Sequence, residues 1–78
     1  MEIRERVLEV LEEANDEIIG YDGDNLFDDG ILDSFQVMDI VNDLEEEFDI
    51  EIDAKYVVEE NFVTVDAIVA LIDMIINE

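Results

Sequence analysis

The chain has 78 residues, half of them apolar, with 25 Asp and Glu against three Lys and Arg, for a net charge of −22. That balance excludes nucleic acid as a partner, because no basic patch can neutralise phosphates, and it argues against anionic membrane surfaces. It favours basic protein partners, drawn in by electrostatic steering.

Seventy-eight residues predict one domain, 1–78, with a thin core, since so short a chain buries only about 60% of its unfolded surface. The apolar fraction and its periodicity argue against disorder, and a monomer is the expectation. There is no Cys, which removes disulfides and thiolate metal sites. Met1 to Arg6 is charged, without an apolar signal core, and no stretch is long enough to span a bilayer. A cytoplasmic protein is the expectation.

Ile3, Val7, Val10, Leu11 and Ala14 recur at helical spacing, with Glu2, Glu5, Glu9, Glu12 and Glu13 on the other side. This predicts an amphipathic first helix ending between Asn15 and Gly20. Residues 20–33 hold all three glycines among Asp22, Asp24, Asp28 and Asp29, and read as a long loop. Leu26, Phe27, Ile31 and Leu32 would pin it to the core. Packed loops of this length are often functional.

A second helix begins at Asp33 or Ser34, with Asp33-x-x-Gln36 as a capping box. Val37, Val41, Leu44 and Phe48 line its inner face, flanked by Met38 and Ile40, and Asp39, Asp43 and Glu46 line the opposite one. Residues 49–53 alternate in polarity but have no partner segment, so they read as an extended connection. Asp53 is placed to cap a short helix from Ala54 to about Glu60, broken at Asn61. Thr64 is the N-cap of a last helix that buries Val65, Ile68, Val69, Ile72 and Ile75. The sum is an all-α bundle of three long helices, one short helix and a long first loop.

The chemistry narrows to one residue. The four loop aspartates do not follow the EF-hand spacing, so no dedicated metal site is expected. A serine nucleophile needs a neighbouring base, yet there is no His, and Lys55 is the only Lys. No carboxylate pair is set apart for acid–base work, so an enzyme is not expected. Ser34, the only serine, stands where the acidic loop meets the second helix. Asp33 takes the capping duty, and a helix N-terminus favours phosphate. Ser34 therefore reads as a residue for another enzyme to modify.

Leu26-Phe27-Asp28-Asp29-Gly30-Ile31-Leu32-Asp33-Ser34-Phe35, followed by Leu44-Glu45-Glu46-Glu47-Phe48-Asp49-Ile50-Glu51-Ile52, resembles the acyl carrier proteins. The resemblance covers essentially the whole chain, including Thr64-Val65-x-x-Ile68. It implies the carrier fold, a four-helix bundle of three long helices and one short one. It also implies that a phosphopantetheinyl transferase attaches 4′-phosphopantetheine from coenzyme A to Ser34, beside Asp33. The thiol of that arm carries acyl or aminoacyl groups as thioesters among biosynthetic enzymes, as in fatty acid or polyketide synthesis.

By the same resemblance the second helix is the recognition helix. Phe35, Asp39, Asn42 and Glu46, with Glu45 at the edge, face basic-surfaced partner enzymes. Phe35 has two readings: it inserts into a partner pocket, or it folds under the preceding loop. The attachment segment departs from the Leu-Gly-Ala/Met-Asp-Ser-Leu of fatty-acid carriers. It is closer to the D-alanyl carriers of teichoic acid modification and to stand-alone aminoacyl carriers, although the Trp of many D-alanyl carriers is missing. The cargo stays open, and a long acyl chain would enter the interior among Val7, Leu11, Val41, Leu44, Ile68 and Ile72. Two other classes remain: an acidic interaction protein without a prosthetic group, and a small calcium or magnesium binder.

Overall fold

A computed structural model describes residues 2–77, which form three α-helices joined by loops and 3₁₀ turns, with no strand among the described residues. Helix α1 spans Ile3–Ala14 and buries Val7, Val10 and Leu11. It stops at Asn15, whose backbone swings out to φ −164°, ψ 105° while its N–H still reaches the Leu11 carbonyl at 2.8 Å. The Asn15 side chain then accepts the Glu17 N–H, opening a 3₁₀ turn at Asp16–Ile18 that drives Ile18 fully into the core.

The long loop that follows is held like a core element. Leu26 and Leu32 are buried, and both the Ile31 and Leu32 N–H groups bond the Leu26 carbonyl, folding the chain back on itself. Asn25 Oδ1 accepts from Phe27 N and Asp28 N, an Asx turn that the loop's polar residues favour. The Leu26 N–H reaches across to the Val63 carbonyl at 2.7 Å, tying the loop to the start of the last helix. Gly30 closes the loop at φ +75°, a conformation that glycine adopts without steric cost.

Helix α2 spans Ser34–Phe48 and buries Val37, Ile40, Val41 and Leu44. Ile40 is thus inside the apolar stripe that it was expected to flank, while Phe48 is only partly buried and carries Arg6 on its ring. The helix ends at Asp49 in the left-handed region, with the Ile50 N–H returning to the Glu45 carbonyl. The extended connection expected over 49–53 does not begin at Asp49, which is the left-handed cap of α2; residues 50–53 form no helix or strand and lead to Asp53 in extended backbone.

The short helix expected from Ala54 to Glu60 is instead two 3₁₀ turns, Ala54–Tyr56 and Glu59–Asn61. Asp53 caps the first as anticipated, through the Lys55 N–H. The break falls at Val57 and Val58, whose β-branched side chains resist a helical backbone. Asn61 Nδ2 then satisfies the Tyr56 carbonyl that a continuous helix would have used. Phe62 fills the core with no exposed surface. Helix α3 spans Val65–Ile76, capped by Thr64 Oγ1 on the Ala67 N–H. Ile68, Leu71 and Ile72 are its buried residues, while Val65, Val69 and Ile75, expected inside, are only partly buried. The architecture is an all-α bundle of three long helices, with two 3₁₀ turns standing where the fourth, short helix was expected.

Candidate functional site

Ser34 is the first residue of α2 and is exposed. The residue before it does the capping. Asp33, in extended backbone, accepts the Gln36 N–H on Oδ1 at 2.9 Å, and its carbonyl accepts the Val37 N–H at 3.1 Å. These bonds use the third and fourth donors of the first turn. The N–H groups of Ser34 and Phe35 are left at the positive end of the helix dipole. The capping box is closed on one side only. The Gln36 side chain does not return to Asp33. Its Oε1 accepts from Asn15 Nδ2 at 3.2 Å, because the end of α1 lies alongside and supplies a donor.

An apolar groove of about 500 Å³ lies against Ser34, lined by Phe27, Phe35, Met38, Val57 and Val58 with Glu59 at its rim. Phe35 is 83% exposed and Met38 is 58% exposed. Phe35 therefore does not fold beneath the loop; it stands in solvent beside Ser34. Phe35 and Met38 are thus two large apolar side chains standing exposed on an otherwise strongly acidic surface.

Asp39, Asn42 and Glu46 are exposed on the same outward side of α2, one and more turns further along. Asp39 and Asn42, with Asp43 and Gln36, line a shallow hollow against Ala14. Glu45 departs from this group. It is half-buried, and its Oε2 accepts the Ile52 N–H at 2.8 Å, so its carboxylate anchors the chain leaving α2.

The loop aspartates are not equivalent. Asp29 Oδ2 accepts the Tyr21 hydroxyl, and the same hydroxyl accepts the Asn25 N–H at 2.8 Å. Burial, followed by the Asp29 carboxylate, raises the Tyr21 pKa above its usual 10.0. A side chain at Gly23 would strike the Tyr21 hydroxyl, so glycine is required for this close approach. Among the described residues no three carboxylates converge as a metal-holding group, and no helix is long and apolar enough to cross a membrane.

Sequence reasoning missed Met38, Val57 and Val58 as neighbours of Ser34. Met38 lies one helical turn beyond Ser34 and Phe35, a spacing that places it on the same side. Val57 and Val58 were legible only as apolar residues in an otherwise polar stretch.

Comparison with known proteins agrees with this geometry. Residues 2–72 match the family described as phosphopantetheine attachment site. Over 54 residues, 67% of this chain and 69% of the relative, the chain is 41% identical to the D-alanyl carrier protein of Listeria monocytogenes serotype 4b (strain CLIP80459). The D-alanyl carrier proteins of serovar 1/2a (strain ATCC BAA-679 / EGD-e) and serotype 4a (strain HCC23) give the same identity and coverage. No solved structure gives a significant match. The residues present fit the group that this family carries. Ser34 offers an accessible hydroxyl that Asp33 relieves of capping, the free N–H groups beside it suit a phosphodiester, and the apolar groove adjoins it. The chain belongs to the phosphopantetheine-attachment family and is a carrier protein whose prosthetic group is a covalent 4′-phosphopantetheine.

Proposed function

We propose that Ser34 Oγ is the attachment point and that the cargo is a small aminoacyl group, with D-alanyl as the first candidate. The attachment reading is carried by one observation: Asp33 caps α2 and leaves the adjacent Ser34 hydroxyl exposed at the helix N-terminus. When bound, the prosthetic group supplies a terminal thiol that holds the cargo as a thioester. Ser34 anchors it, the N–H groups of Ser34 and Phe35 offset phosphodiester charge, and Asp33 fixes the turn. The aminoacyl reading is supported by relatives that are D-alanyl carrier proteins at 41% identity. A second reading, a longer acyl cargo for fatty acid or polyketide synthesis, is favoured by the apolar groove beside Ser34. Burial of such a chain would gain about 0.8 kcal/mol per CH₂.

The partners in this reading are a phosphopantetheinyl transferase and acyl- or aminoacyl-handling enzymes with basic surfaces. They meet the face formed by Phe35, Asp39, Asn42 and Glu46, with Met38 adding to the apolar ledge. Glu45, at the edge of that face, is left a structural part, since its carboxylate is engaged by the Ile52 N–H. The chain acts as one monomeric carrier domain over residues 1–78, in the cytoplasm. It catalyses no step itself, in keeping with a sequence that has neither His nor Cys. Incubation with D-alanine, ATP and a D-alanine ligase tests the cargo, against a fatty acid with an acyl–carrier ligase. Loading by the first and not the second supports the aminoacyl reading; the reverse overturns it.

A further inference from the structure

We infer that Asn15, at the far end of α1, is a positioning residue for the modification of Ser34; the inference rests on Ser34 being the attachment point. The Asn15 carboxamide joins three segments. Its Oδ1 accepts the Glu17 N–H at 3.0 Å, and its Nδ2 donates to the Ile31 carbonyl at 2.9 Å and to Gln36 Oε1 at 3.2 Å. Both Nδ2 bonds are partly buried and span 16 and 21 residues of sequence. The orientation of the amide follows from its partners. Turned over, it would set its oxygen against the Ile31 carbonyl and its NH₂ against the Glu17 donor.

Ending α1 requires only the Asn15 backbone and Oδ1. The two Nδ2 bonds exceed that need, and both reach the turn that carries Ser34. Ile31 lies three residues before Ser34 and Gln36 two after it. Gln36 is in turn bound through its backbone N–H to Asp33 Oδ1 at 2.9 Å. Ser34 thus lies between two points bonded to a single side chain, that of the residue that ends α1.

In the modification, Ser34 Oγ attacks the β-phosphorus of coenzyme A. A new O–P bond forms, the diphosphate O–P bond breaks, 3′,5′-ADP leaves with the electron pair, and the hydroxyl proton passes to a base of the transferase. In-line attack requires Oγ to be placed closely, and small misplacements are costly to rate. Asn15 touches none of the reacting atoms. It sets the turn that presents Oγ, while the outward face of α2 that docks the enzyme is left unchanged.

The test is steady-state phosphopantetheinylation of the full chain by a promiscuous transferase, below the melting temperature of every variant. Asn15→Ser keeps an oxygen for the Glu17 N–H and loses both donations. Gln36→Leu loses only the bond to Asn15 and keeps the Asp33 cap. The expected result is about a tenfold fall in kcat for Asn15→Ser with KM within about twofold, and a smaller fall in kcat for Gln36→Leu. Asp66→Asn, at the exposed Arg4–Asp66 pair, is the control with wild-type kinetics. If the wild type is modified and both folded variants match it, or if only KM rises, the positioning role is overturned. If Asn15→Ser does not fold, Gln36→Leu decides in the same way. A wild type that no transferase modifies overturns the attachment reading itself.

Discussion

The Arg6 guanidinium lies over the Phe48 ring, 4.3 Å from its centroid, and its Nε donates to Glu47 Oε2 at 2.9 Å. A second nitrogen, Nη2, donates to the Glu47 carbonyl. One side chain thus clamps the start of α1 to the end of α2 and covers a carbonyl that the helix terminus leaves open. In a chain of net charge −22 it is also one of only three cationic side chains. Arg6→Ala should cost about 1–2 kcal/mol, from a cation–π contact and a partly exposed ion pair. Urea unfolding checks this, and Arg6→Lys should recover only part of the loss, since lysine cannot make the planar double contact.

Asp49 holds the left-handed C-cap of α2 at φ 54° and places a negative charge at the negative end of the helix. Both features oppose stability. Asp49→Gly relieves both and should stabilise the fold by about 0.5–1 kcal/mol, read as a higher urea midpoint at unchanged slope. A loss of stability would show that Asp49 serves a contact other than the cap.

Tyr21 fastens the acidic loop through Asp29 and Asn25. Its pKa is raised by burial and by the neighbouring carboxylate, so the folded chain retains the phenolic proton where the unfolded chain gives it up. Its contribution is therefore full below the ordinary 10.0 and is lost as pH rises through the higher folded value. Part of the tyrosinate absorbance should develop late in an alkaline titration. Tyr21→Phe should remove that component, lower the melting temperature at neutral pH and flatten the stability decline above about pH 10.

Phe35 and Glu45 should separate binding from folding. Phe35 is 83% exposed, so Phe35→Ala should leave stability within about 0.5 kcal/mol while raising the transferase KM roughly fivefold or more. Glu45→Ala removes the acceptor of the Ile52 N–H and should cost about 1 kcal/mol of stability, with the smaller effect on KM.

Much of this was legible because it is local. Asp33, Asp53 and Thr64 read as caps, and each accepts the N–H that its position demands. Leu26 and Leu32 read as anchors of the loop because buried apolar side chains are what such a loop needs, and both are buried. What escaped depends on tertiary neighbours. Gln36 fits a capping box until the donor on Asn15, 21 residues away, claims its side chain. Glu45 reads as surface charge until the chain turns back and presents Ile52. The short helix gave way because Val57 and Val58 weigh against it at a point where Asn61 offers the Tyr56 carbonyl another partner. The ledge beside Ser34 was hidden for the same reason, since Phe35 and Val58 meet only in the folded chain.

The central claim is that Ser34 carries the prosthetic group. Intact-protein mass spectrometry after incubation with coenzyme A and a promiscuous phosphopantetheinyl transferase tests it most directly. The wild type should gain the mass of one phosphopantetheine, fragmentation should place it on Ser34, and Ser34→Ala should gain nothing. Addition to Ser34→Ala, or a mass increment located elsewhere, would contradict it.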